Sequence, residues 1–134
     1  MNIDRESERE RAEIYISTTP FGEADPSSLQ VLESSGFNLK RNRTGRKHTS
    51  VEVCAAAIDS TVLIAGTEDL SLLITESQSL KMISRVGIGL DGVPLKLCRD
   101  KGIIVSWTPD AVTSSVAEFT IGLMIAASRS IGRS

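Results

Sequence analysis

The chain has 134 residues, of which 40% are apolar and only 4% aromatic, and its formal net charge at neutral pH is −2. That length carries one domain with a core of its own, and the scarcity of aromatics makes the core aliphatic. The near-neutral balance excludes nucleic acid or an anionic membrane as the main partner.

The charged stretch 1–12 has no apolar stripe and reads as a solvated tail. Glu13 to Ser17 is the first expected strand, ended by Thr18-Thr19-Pro20. A short helix spans Ser27 to Ser35, entered through Asp25-Pro26 and closed by Gly36. Phe37 to Arg41 is a second strand, followed by a basic loop to His48 and a helix from Thr49 to Ala57. Thr61 to Ala65 is a continuous apolar run of the kind that a parallel sheet buries on both faces. Leu70 to Ser77 is helical, Lys81 to Val86 is the fourth strand, and Ile103 to Ser106 is the fifth. Strands alternating with helices through short loops predict an α/β fold, an open parallel sheet of about five strands with helices on both faces.

Between the fourth strand and a helix with Pro94 in its first turn lies the richest stretch, Gly87-Ile88-Gly89-Leu90-Asp91-Gly92. Three glycines let backbone approach a ligand and turn free N–H groups outward, which points to an anion site. The spacing Gly87-x-Gly89-x-x-Gly92 also spells the dinucleotide fingerprint. That fingerprint wants its third glycine inside the helix, whereas Gly92 precedes Val93 and Pro94 and reads as the end of the turn.

The last element is a helix from Val116 to about Ile131, with Ser115-x-x-Glu118 as an expected capping box. Its apolar positions cover nearly the whole circumference, which predicts burial on all sides, by a second copy or by a further domain. The apolar run 119–127 is shorter than the about 20 residues that a bilayer takes. With a charged rather than apolar N-terminus and no signal peptide in view, the expectation is a soluble, cytoplasmic protein. Cys54 and Cys98 read as reduced core thiols, because two cysteines are too few for a disulfide framework.

Ligands of open parallel sheets bind outside the carboxyl ends of the strands. The residues at those ends are Thr18 to Pro20, Gly66-Thr67-Glu68, Arg85 to Asp91 and Trp107 to Asp110. Arg85 suits a carboxylate or phosphate, or else forms a structural salt bridge with Asp91 or Glu68. His48, the one histidine, lies near no nucleophile or second metal ligand, so neither a catalytic nor a metal set is expected. Asp110 and Glu118 read as helix-capping carboxylates.

Several segments together resemble the substrate domain of the NAD-dependent D-2-hydroxyacid dehydrogenases, in wording nearest the phosphoglycerate dehydrogenase branch. They are Ile64-Ala65-Gly66-Thr67-Glu68, Leu80 to Asp91, Lys101 to Val105, Thr108-Pro109-Asp110-Ala111 and Ser115-Val116-Ala117-Glu118. The resemblance covers about residues 59–129 well and the first half only in its order of elements. It implies a flavodoxin-like substrate domain over 13–110 and an interdomain-type helix over 111–134. It further implies that the amides of Ile88 and Gly89 hold a substrate carboxylate, with Gly66 and Thr67 bordering it and Ser115 and Val116 near the nicotinamide.

The implied ligand is a small 2-hydroxy acid such as 3-phosphoglycerate, and the implied cofactor is NAD, bound with a cofactor domain. The implied assembly is a homo-oligomer or a pairing through the last helix. The family's own dinucleotide loop and its catalytic Arg, Glu and His would lie beyond Ser134, so no catalytic residue is expected within this chain. Departures from the family wording are Gly92, Pro94, Trp107 and Val112, where the family has Asn, Asp, Asn and, in some members, Asn. Two other readings are a non-catalytic module that binds a metabolite or pairs with a relative, and a small nucleotide binder using Gly87 to Gly92.

Overall fold

The computed structural model describes residues 12–131. Five strands, β1 (Glu13–Ile16), β2 (Asn38–Arg41), β3 (Val62–Ala65), β4 (Met82–Arg85) and β5 (Ile104–Trp107), form one sheet in the order β2-β1-β3-β4-β5. Every pairing is parallel. This is the flavodoxin-like order, with its switch point between β1 and β3. The expected fold class is the one observed, and the strand limits fall within a residue or so of those read from the sequence.

The connecting helices are α1 (Ser27–Ser34), α2 (Ser50–Ala57), α3 (Ser71–Glu76) and α4 (Leu95–Asp100), and α5 (Thr113–Ser128) follows β5. Because side chains alternate across a strand, the sheet feeds two cores. Tyr15, Leu63, Ala65 and Ile83 point to one face, where Val53, Cys54 and Ala57 of α2, Leu73 and Ile74 of α3 and Cys98 of α4 close over them. Ile14, Ile16 and Ile64 point to the other face and meet Leu29 and Leu32 of α1, with Phe21 and Phe37. A Leu or Ile buried to the degree of Leu63, Leu73 and Ile83 contributes about 1.5–3 kcal/mol. The two faces are unequal, since Ile104 on the α1 side of β5 is 65% exposed.

Local chemistry sets the helix ends. Asp25 Oδ1 accepts from the Ser27 amide at 2.9 Å to start α1, and Gly36, at φ +79°, turns the chain after it. A capping box does exist, but on α2: Thr49 Oγ1 accepts from the Glu52 amide while Glu52 reaches back to the Thr49 amide. The box expected at Ser115 and Glu118 does not form. The 109–112 turn carries the chain into helix earlier, with Val112 at the N-cap and no side-chain cap, so both residues sit inside α5 and neither Asp110 nor Glu118 caps it.

α4 has six residues, and Pro94 precedes it as the N-cap rather than lying within its first turn. The burial expected around α5 is also absent: none of its residues is buried, and Val116, Phe119, Ile121, Leu123, Met124 and Ile125 are all exposed. No helix among the described residues is long and apolar enough to cross a membrane. The charged tail read from the sequence falls almost wholly outside the described residues.

Candidate functional site

A cavity of about 460 Å³ opens at the carboxyl ends of β1, β3 and β4, across the switch point. Its walls are Ser17 to Pro20, Lys47, Gly66 to Glu68, Arg85 to Gly89, and Val112. Gly66, Thr67, Arg85, Ile88 and Gly89 are thus brought together as the sequence suggested. Ser115 and Val116 are not: they lie exposed on α5, one turn beyond Val112, whose carbonyl accepts from the Val116 amide at 2.9 Å.

The glycine turn is pinned at its start. The Val86 amide donates to the Ala65 carbonyl at 2.9 Å, and the Gly87 amide donates to Thr108 Oγ1 at 3.0 Å. After that the pinning stops: neither the Ile88 nor the Gly89 amide finds an acceptor among the described residues. Two consecutive free N–H groups at a cavity wall are what an anion requires. Gly87, at φ +130°, leaves room for the Arg85 guanidinium, whose Nη1 lies 2.6 Å from where a Cβ on Gly87 would stand.

Arg85 is 8% exposed. Neither expected salt bridge, to Asp91 or to Glu68, forms; the guanidinium instead donates to the Val86 carbonyl beside it. Glu68, also in the cavity wall, is 2% exposed. Its Oε1 accepts from the Gly66 amide at 3.0 Å and from the Ser17 hydroxyl, tying the loops after β1 and β3 together.

His48 is buried away from the cavity, with Nε2 bonded to the Tyr15 hydroxyl at 2.9 Å and the two rings stacked. Burial, and then the negative charge of Glu68, push the Tyr15 phenol up. The cavity's ionisable side chains are Lys47, Glu68 and Arg85, and no cluster of His, Cys, Asp and Glu among the described residues could hold a metal ion.

The fingerprint Gly87-x-Gly89-x-x-Gly92 does not make a dinucleotide site. Its third glycine lies three residues before α4 and packs against the loop after β3: a Cβ there would overlap the Glu68 carbonyl oxygen and stand 3.1 Å from the carbonyl carbon. The Gly92 carbonyl accepts from the Leu70 amide at 3.0 Å, so this glycine serves packing. This turn therefore does not fit NAD.

Sequence reasoning undervalues two cavity residues: Lys47 falls in the basic loop before His48, and Ser17 reads as the end of the first strand. The signal available was position, since each falls at or just beyond the carboxyl end of a strand or in the loop leading back from one.

A flavodoxin-like sheet with a cavity at its switch point defines an α/β domain of the open parallel-sheet class. The family model for the D-isomer specific 2-hydroxyacid dehydrogenase catalytic domain matches residues 16–131. The chain belongs to that family.

Among its relatives, D-3-phosphoglycerate dehydrogenase of Methanocaldococcus jannaschii is 41% identical over 85 residues, 62% of this chain and 16% of that protein. Hydroxypyruvate reductase of Thermotoga maritima is 41% identical over 76 residues, 57% of this chain and 25% of that protein. The NAD+-bound 3-phosphoglycerate dehydrogenase of Entamoeba histolytica superposes with a TM-score of 0.74 at 26% identity, over 86% of this chain and 38% of that one. The chain thus spans well under half the length of the proteins that it matches.

Proposed function

We propose that this chain is the substrate-binding domain of an NAD-dependent oxidoreductase acting on a D-2-hydroxy acid, of the phosphoglycerate dehydrogenase type. The observation that carries the reading is the pair of unengaged amides at Ile88 and Gly89 beside the buried Arg85, in a cavity at the switch point of a family member's sheet. In this reading the two amides hold the substrate carboxylate and Arg85 supplies the countercharge. Gly66 and Thr67 border the rest of the acid. A substrate such as 3-phosphoglycerate fits the class of compound named for the relatives.

NAD enters with a cofactor domain, toward Ser115 and Val116 on α5. Hydride transfer requires groups that the cavity walls do not include, so this chain alone gives no turnover.

The test is a titration of the 134-residue chain with D-glycerate and 3-phosphoglycerate, followed by amide NMR. The Ile88 and Gly89 resonances are expected to move most, and no NADH forms when NAD is added. Shifts confined to other parts of the chain, or NADH formation, would overturn the reading.

The exposed apolar side chains of α5 favour a second, compatible reading: pairing through this helix, with another copy or with a full-length relative. Phe119, 68% exposed, is the probe. Phe119→Lys is expected to convert a dimer to a monomer on a sizing column with light scattering. A monomeric parent chain would rule out self-pairing.

A further inference from the structure

Thr108, the first residue after β5, holds the backbone of the glycine turn by two bonds. The Gly87 amide donates to Thr108 Oγ1 at 3.0 Å, and the Thr108 amide donates to the Gly87 carbonyl at 3.3 Å. This exchange does not continue the sheet. In the β4–β5 register Met82 faces Ile104 and Arg85 faces Trp107, and the Ile104 amide donates to the Lys81 carbonyl. Evenly spaced parallel bonds, extended along both strands, would bring the Thr108 amide to the Arg85 carbonyl. It goes to Gly87 instead, so the turn bends back onto the end of β5.

Gly87 permits that bend. It stands at φ +130°, which a side chain disfavours, and the Arg85 guanidinium lies where its Cβ would be. On the other side the Val86 amide donates to the Ala65 carbonyl at 2.9 Å. The turn is therefore tied to the end of β3 through Val86 and to the end of β5 through Gly87, immediately before the unengaged Ile88 and Gly89 amides. The Gly87 carbonyl and the Ile88 N–H belong to one rigid, trans peptide plane and point in opposite directions. Fixing that carbonyl on Thr108 thus turns the Ile88 N–H away from β5. Of the two bonds, the shorter is made by the side chain, and a substitution can remove it.

We propose that Thr108 is a positioning residue, whose hydroxyl holds the Gly87 amide so that the Ile88 and Gly89 amides are aimed together at the carboxylate of an acid. The inference rests on the carboxylate reading of those amides and adds the group that orients them. Thr108 is not among the residues lining the cavity, so it acts through the turn. Donors ordered in advance bind more tightly, because the ligand does not have to order them.

The test uses two variants that divide the side chain. Thr108→Val keeps its branched shape and removes the acceptor, and Thr108→Ser keeps the acceptor and removes the methyl. Affinity for D-glycerate is read by NMR titration of the full chain at Ile88 and Gly89. Thr108→Val is expected to bind about fivefold more weakly than the parent, the equivalent of about 1 kcal/mol, and Thr108→Ser to match the parent. A residue that only packs the end of β5 would give the reverse order, since valine keeps the contacts and serine loses some.

Hydrogen exchange of the parent chain needs no variant and serves if Thr108→Val folds poorly. Without acid, the Gly87 amide is expected to exchange about tenfold more slowly than the Ile88 and Gly89 amides, and D-glycerate then slows those two. A Gly87 amide exchanging as fast as Ile88, or equal affinities of parent and Thr108→Val at responding amides, would overturn the role of Thr108 and leave the carboxylate site standing. No response of Ile88 and Gly89 in the parent chain would remove both.

Discussion

Gly92→Ala separates packing from nucleotide binding at the third fingerprint glycine. Gly92 lies outside the left-handed region, so alanine brings no backbone strain of its own. The penalty is steric: the new methyl overlaps the Glu68 carbonyl oxygen and meets its carbon at 3.1 Å. That carbonyl is backbone, in the loop that opens into Leu70, Leu73 and Ile74, all fully buried. Overpacking of this kind costs about 1–3 kcal/mol, and pushing the loops apart also strains the bond from the Leu70 amide to the Gly92 carbonyl, which adds about 1 kcal/mol. The sum, about 3 kcal/mol, is a large part of a stability of about 5–15 kcal/mol.

With a urea slope of about 2 kcal/mol per M, the unfolding midpoint should fall by about 1.5 M. Gly122→Ala is the control: nothing stands within 4 Å of its site, and alanine is favoured over glycine by up to about 1 kcal/mol inside an exposed helix, so its midpoint should not fall. A Gly92→Ala midpoint within about 0.3 M of the parent would refute the packing argument. A nucleotide role would show differently, as NAD affinity lost by calorimetry with stability unchanged.

The Arg46 guanidinium bonded to Glu52, with help from the Thr49 amide, holds the Glu52 carboxyl well below the usual carboxylate range. A depressed folded-state value stabilises the chain above the unfolded value, about 4.3, and that contribution is lost as the pH falls through the acid range. Arg46→Met removes the main cause, so its urea midpoint should drop less than the parent's between pH 6 and pH 3; parallel declines would count against the link. Burial pushes the Cys54 and Cys98 thiols up, in Cys54 with a smaller contribution from Glu76. Both thiols should react with a disulfide reagent only at the rate of unfolding, and fast labelling under native conditions would contradict this.

The strands were legible because β1 and β3 are short, largely apolar runs bounded by turn residues. β2 was readable only from context, since its four residues include Asn38, Lys40 and Arg41, and an edge strand buries little. Helix ends were less secure. Thr49-x-x-Glu52 and Ser115-x-x-Glu118 have the same spacing, yet only the first makes a cap, because a turn upstream decides where each helix begins. The all-round apolar pattern of α5 revealed what the helix could bury, but pattern alone holds no information about which surface reaches it.

Arg85 and Glu68 mark the limit of that reading most clearly. They follow or end adjacent parallel strands and carry opposite charges, so a sequence argument pairs them. A closed pair would neutralise the cavity and fill it. Instead each is bonded to a backbone group beside it, Arg85 to the Val86 carbonyl and Glu68 to the Gly66 amide. Keeping two buried charges apart forgoes their attraction in a region where water screens poorly, and that cost is offset only in part by these bonds.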